Sequence, residues 1–258
     1  MMTRKKPLIL VTNDDGISAP GIRTLIAIMK EIGDVIVVAP DKPQSAMGHA
    51  ITINNTLYFN KINIDDDVQE EYSCSGTPVD CIKLAVHEIL KRKPDLCVSG
   101  INHGSNSSIN VIYSGTMSAA LEAGMEGIPA IGFSLLDYAW DADFESSRSF
   151  IKKITLETLK NGLPKGVILN VNIPKLTKDK IKGIKVCRQA NARWEETFDK
   201  RTNPQGRDYY WLTGEFVNED KGEDTDEAAL ENGFISIVPV QYDLTAHHAI
   251  KYINDWNI

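Results

Sequence analysis

No apolar run in this chain is long enough to cross a bilayer. A span takes about 20 consecutive apolar residues, whereas the first apolar run, Leu8–Val11, gives way at once to Asn13-Asp14-Asp15. That run is also shorter than the roughly 7–15 residues at the centre of a secretory signal. Although Met1–Pro7 is basic, the expectation is therefore a cytoplasmic protein without a membrane partner. Cysteine is scarce. Cys74, Cys81, Cys97 and Cys187 form no C-x-x-C pair and have no His at zinc-ligand spacing, so reduced, mostly buried thiols are expected. Positive charge is short as well, with 28 Lys and Arg against 35 Asp and Glu and a net charge of −7. A surface for polymeric nucleic acid needs clustered cations, so none is expected. A small anion held through a metal ion stays open, because a cation reverses the sign of a carboxylate-lined site. The sequence also lacks G-x-S-x-G, G-x-x-x-x-G-K-[ST] and G-x-G-x-x-G. An α/β-hydrolase, a P-loop NTPase and a dinucleotide oxidoreductase lose their support with them.

What the sequence does contain is a folded-protein composition, 42% hydrophobic and 24% charged over 258 residues, which leaves little room for disorder. Leu8–Val11 is apolar without alternation, as in a strand buried on both faces. Ile22, Leu25, Ile26, Met29 and Ile32 then recur at helical spacing behind Pro20, and Gly33 ends that helix. Val35–Ala39 reads as a strand. Thr77 is placed to cap a helix opening at Pro78, with Val79, Ile82, Val86, Ile89 and Leu90 inward. Leu96–Ser99 reads as a strand, residues 100–108 as a Gly/Ser/Asn loop, 116–124 as a helix of small residues and 129–135 as a further strand. Strands alternating with helices predict a mostly parallel sheet covered on both faces, with a ligand crevice at the strands' C-terminal ends. After about Lys175 the pattern changes to charged loops, β-like runs at Tyr209–Thr213 and Phe234–Val240, and a last helix near Leu244–Ile253. Asp65 to Glu71 reads as a solvated loop. One α/β domain over 1–258 is expected, with its core near 1–175 and 230–245. An arm near 185–230 and a terminal helix at 244–258 complete it.

The polar loops carry the candidate chemistry. Asp14 and Asp15 repel each other unless a proton or cation compensates, and hard divalent ions prefer such oxygen ligands. The alternative is a solvated turn in which one Asp caps the next helix. Ser45 offers a hydroxyl to a metal or a phosphate, or is simply a loop serine; His49 is a candidate base or phosphate donor. In Ser99-Gly-Ile-Asn-His-Gly-Ser-Asn106, Asn102 offers a neutral carbonyl oxygen to a metal. Asn106 and the backbone N–H groups around Gly104 suit phosphate. Ser114-Gly115-Thr116 opens a helix, whose free N–H groups favour an anion; ordinary capping is the alternative.

Together these segments resemble the SurE (stationary-phase survival) family of 5′/3′-nucleotidases. The matching stretches are Leu10–Gly16 (LVTNDDG), Ala39–Thr52 (APDKPQSAMGHAIT), Ser75–Lys83 (SGTPVDCIK), Val98–Asn106 (VSGINHGSN), Tyr113–Gly124 (YSGTMSAALEAG) and Tyr242–Ala246 (YDLTA). The resemblance implies a Rossmann-like three-layer α/β sandwich with a C-terminal β-hairpin and helical extension exchanged within a homodimer or homotetramer. It implies one divalent ion per subunit, Mg²⁺ or Mn²⁺, on Asp14, Asp15, Ser45 and Asn102. Asn102, Gly104, Asn106 and Ser114–Thr116 would line a phosphate site for nucleoside monophosphates. The expected reaction is attack of water on phosphorus, with Asp14 or Asp15 and then His49 as candidate bases; attack by Asp14 itself is the alternative. Two rival functions follow from the same residues: a broad phosphatase or exopolyphosphatase, and a non-enzymatic receiver-like domain. Tyr58, Phe59, Trp194 and Trp211 are candidates for stacking on a base, or for packing and subunit contact.

Overall fold

The computed structural model describes residues 6–65 and 69–256. Its centre is β1 (Leu8–Thr12), buried from Ile9 onward. Successive side chains of a strand point to opposite faces, and here each face meets its own helices. Ile9 and Val11 join the cluster containing Ile22, Leu25 and Met29 of α1 (Pro20–Lys30). Leu10 joins a second cluster with Ile82 of α2 (Pro78–Leu84) and Met117 and Ala120 of a later helix. A continuous apolar run is thus what a middle strand of a three-layer sandwich requires.

On one side of β1 lie β2 (Asp34–Pro40), β4 (Glu70–Cys74) and the antiparallel edge strand β3 (Phe59–Ile62). On the other lie β5 (Leu96–His103), β6 (Ala130–Leu135) and β7 (Val167–Ile173), all parallel to β1. The chain runs outward through β2 and β4, then returns to β5, so the strand order reverses between β1 and β5. Crevices at such switch points are where open α/β sheets bind ligands. α1 packs closely beneath: a Cβ on Gly21 would lie 2.0 Å from the Ile101 carbonyl oxygen, so only glycine lets this helix approach β5.

α3 (Asn110–Tyr113) and α4 (Gly115–Met125) follow β5. α5 (Arg148–Asn161) covers the α1 side through Ile151 and Ile154. Past β7, β8 (Ile184–Val186) forms the far edge, and β11 (Ile235–Gln241) lies between β7 and β8. β9 (Ala192–Thr202) and β10 (Asp208–Asn218) pair only with each other, as a hairpin with 11 residues in each strand. α6 (Asp226–Glu231) precedes β11, and α7 (His247–Asn254) closes the chain. No described helix is long and apolar enough to cross a membrane.

Three expectations are corrected. The strand expected at Leu96–Ser99 continues to His103, with a register shift between Ser99 and Asn102, so the loop begins at Gly104. Glu71 is not in a solvated loop: it sits in β4, 1% exposed, and accepts both Arg23 guanidinium nitrogens at 2.7 and 3.0 Å. That Arg23 also pairs with Asp65; Asp66 and Asp67 lie outside the described residues. The last helix starts at His247, not Leu244. All four cysteines are free and buried, as expected.

Candidate active site

The loop after β1 is built by local hydrogen bonds. The Asn13 amide donates to the Gly16 carbonyl at 2.9 Å, and Gly16 takes φ +97°. Asp14 is 4% exposed. Burial pushes its carboxyl up, the neighbouring Asp15 adds to this, and a hydrogen bond from the Thr116 hydroxyl offsets part of it. The result is a rise from 3.8 to about 6. Asp15 meets His103, whose ring Nδ1 lies 3.2 Å from Asp15 Oδ2. The backbone N–H of His103 donates to the same oxygen at 3.3 Å.

Helix α4 begins directly against this pair. Ser114 caps it, its Oγ accepting from the Met117 N–H at 3.0 Å. A Cβ on Gly115 would lie 2.7 Å from the Asp14 Cβ and 2.9 Å from its Oδ2. Glycine therefore lets the helix N-terminus touch the carboxylate, and the free N–H groups of the first turn arrive with it.

The loop between β2 and β3 crosses the same mouth. The Gln44 N–H donates to the Asp14 carbonyl at 2.8 Å and the Gly48 N–H to the Tyr113 carbonyl at 3.2 Å. Ser45 is exposed on this loop beside Gln44. Further on, Asp80 accepts from the Thr52 N–H at 3.1 Å and its hydroxyl at 2.6 Å, within the capping box it forms with Thr77. His49 does not point to the carboxylate pair by any hydrogen bond; its Nε2 lies 2.9 Å from Glu122, which also takes Lys83 at 2.5 Å.

Asn102 ends β5, and its amide nitrogen donates to the Gly104 carbonyl at 3.0 Å, leaving its carbonyl oxygen as the acceptor. Asn106 is held elsewhere than at the carboxylates. Its side-chain amide donates to Ser134 at 2.8 Å, its N–H to Asn172 at 2.8 Å, and Asn170 donates to its carbonyl at 2.7 Å. The structure thus brings together Asp14, Asp15, the Ser45 loop, His103 and Ser114–Thr116, with Asn102 next to His103, and ties Asn106 to β6 and β7.

The donor chemistry fits a hard cation. Apart from the His103 ring, the side-chain groups converging here are oxygens, from Asp14, Asp15 and Thr116. Thr12 Oγ1 and Asn13 Oδ1 at the end of β1, and Ser99 Oγ beside Thr12 in β5, are buried without hydrogen-bond partners. Burial, with Asp15 beside it, raises Asp14, and a cation at this position would offset both effects. Sequence reasoning missed His103. It stands beside Asn102 in the same motif, but no spacing rule separates it from a loop residue.

A family model described as Survival protein SurE matches residues 9–196. The chain belongs to the SurE family. A 5′-nucleotidase SurE of Flavobacterium johnsoniae is 75% identical over 257 residues, covering 100% of this chain and 99% of that one. A 5′-nucleotidase SurE of Caldanaerobacter subterraneus is 41% identical over 256 residues, covering 98% of each. The crystal structure of a SurE protein from Aquifex aeolicus superposes with a TM-score of 0.83 at 40% identity, covering 96% of this chain and all of that one. The SurE family implies a divalent metal, in keeping with the oxygen-rich centre described above.

Proposed function

We propose that this protein is a divalent-metal-dependent phosphomonoesterase that hydrolyses 5′- and 3′-nucleoside monophosphates. The observation that carries the reading is the contact of Gly115 with Asp14, which places a helix N-terminus against a carboxylate pair. A site of that kind holds a cation and an oxyanion side by side. Relatives named 5′-nucleotidase SurE over the full length support the substrate class.

Asp14, Asp15, Ser45 and Asn102 are the residues that would hold one Mg²⁺ or Mn²⁺ ion. Such an ion neutralises phosphate charge and acidifies bound water. The N–H groups at Ser114–Thr116, with those around Gly104, bind the phosphoryl oxygens, while Asn106 fixes that loop from behind. Water then attacks phosphorus in line. A new P–O bond forms, the bond to the ribose oxygen breaks, and that oxygen takes a proton as it leaves. Asp14, buried beside the helix N-terminus, is the acceptor for the water's proton; His49, engaged with Glu122, is removed from this role. The same reading includes a cytoplasmic homodimer or homotetramer assembled through the β9–β10 arm and α7.

Phosphate release from a panel of 5′- and 3′-nucleoside monophosphates, with Mg²⁺, Mn²⁺ or EDTA, tests the proposal beside Asp14→Asn. Release that needs metal and disappears in the variant supports it. No release from any nucleotide with any metal overturns it.

A further inference from the structure

The Asp15 partner His103 leads to two exposed aromatic rings. The His103 imidazole is mostly buried, edge-on to Phe144 at 4.9 Å between centroids. Parallel to it, at 6.0 Å and an interplanar angle of 6°, lies the indole of Trp140. Trp140 is 71% exposed, so one indole face rests on His103 while much of the ring is left to solvent. Two residues earlier, Tyr138 is 76% exposed and covers Gly104. A Cβ there would lie 2.2 Å from the tyrosine ring, and the Ser105 N–H reaches the phenol oxygen at 3.4 Å. The loop carrying both rings is fixed. Asp137 accepts from the Ala139 N–H at 3.0 Å and from Lys175 at 2.9 Å, and the Ala142 N–H donates to the Ala139 carbonyl at 3.2 Å.

Exposing two large aromatics on a rigid loop is costly unless something covers them, and these two border the loop that leads from Asp15 to the phosphate positions. We propose that Trp140, with Tyr138 beside it, is the nucleobase platform of this site: the base of a nucleoside monophosphate stacks on the open indole face while its phosphate lies at the N–H groups of Ser114–Thr116 and those around Gly104. The proposal rests on the nucleotidase reading. It places the base on other rings than Phe59, Trp194 and Trp211, since Phe59 packs edge-on to Tyr72. Trp194 bonds Asn110 and packs on Phe216, while Trp211 lies on the hairpin. Stacking tolerates any base, because every base has a π face.

Two measurements separate this platform from the nucleotidase reading. The first is the ratio of kcat/KM for 5′-AMP to that for ribose 5-phosphate in the wild type, Trp140→Ala and Trp140→Phe. Loss of one stack lowers this ratio about tenfold in Trp140→Ala, mainly through KM for the nucleotide, while Trp140→Phe retains most of it. A wild-type ratio near one, or a ratio unchanged in Trp140→Ala, overturns the platform and leaves the phosphatase standing. The second is titration of tryptophan fluorescence with adenosine, which needs no turnover. Quenching that is present in the wild type and lost in Trp140→Phe supports the platform even if neither phosphoester is hydrolysed, an outcome that would sink only the nucleotidase reading. Quenching that is absent, or equal in both proteins, overturns it.

Discussion

Asp14 concentrates the energetics of the site in one carboxyl group. Its folded value of about 6 stands above the ordinary 3.8, so between these values the folded chain binds more protons than the unfolded chain. Stability is then fully present below about pH 4 and falls as pH rises through 6. A shift of this size corresponds to on the order of 3 kcal/mol. In EDTA, Asp14→Asn is expected to melt above the wild type at pH 7–8, with the gap closing towards pH 4. Added Mn²⁺ should reverse the order by stabilising the wild type alone. Melting curves that run parallel across pH would remove the account of a buried Asp14 carboxylate. Gly115 supplies a second prediction at this scale. Gly115→Ala forces a methyl group to 2.7 Å from the Asp14 Cβ, and such overpacking costs about 1–3 kcal/mol. Gly124→Ala, at the other end of α4, crowds the buried Ile168 side chain at 2.7 and 2.8 Å, away from the carboxylates. Phosphate release should fall at least a hundredfold in the first variant and stay near wild type in the second, both followed by thermal melts.

Elements hold these residues in place, and α2 shows how. Its capping box does more than end a helix, because Asp80 also grips Thr52, and Thr77 Oγ1 donates to the Ala50 carbonyl at 2.8 Å. The Ser45 loop is thereby anchored behind as well as at Gln44. Asp80→Ala is expected to cost about 1–2 kcal/mol in urea unfolding and to raise the Mn²⁺ concentration for half-maximal activity more than it lowers kcat. A fall in kcat alone would detach the anchor from the site. The cap at Thr77 and the apolar faces of α1 and α2 were legible in the sequence, as were β1, β2, β6 and α4, because each buries a continuous run or a helical stripe. β5 was legible only to Ser99. Asn102 and His103 continue the strand by backbone pairing with Ser134 and Leu135, and polar side chains give no sign of that. β4 was hidden for another reason: Glu71 is charged, and its burial depends on Arg23, 48 residues away. Within the site, Asp14, Asp15 and Asn102 announce themselves by residue type. His103, Tyr138 and Trp140 acquire meaning only when β5 and the loop after β6 are brought side by side.

At the scale of the whole molecule, the β9–β10 arm is the part that its own chain does not explain. A lone two-stranded hairpin is marginal in water, yet this one runs 11 residues in each strand and exposes Phe198, Tyr210, Trp211 and Leu212. Phe198 and Leu212 face each other across the ladder, so they form a paired apolar step rather than scattered surface residues. The root of the arm is fixed firmly. Fully buried Asp226 accepts from the Ala190 N–H at 2.9 Å and from the Ser108 N–H at 2.8 Å, which joins the arm to the segment that follows the candidate phosphate loop. An arm rigid at its root and apolar at mid-length is suited to covering its hydrophobic step with a second copy, whose contact then bears on residues 104–108. Sedimentation of the wild type should therefore give a dimer or tetramer. Replacing Phe198 and Leu212 together by Ser should give monomers whose core still melts cooperatively, with phosphate release reduced several-fold rather than abolished. A monomeric wild type, or a double variant that still assembles, would mean that the arm is stabilised by something other than its own copies.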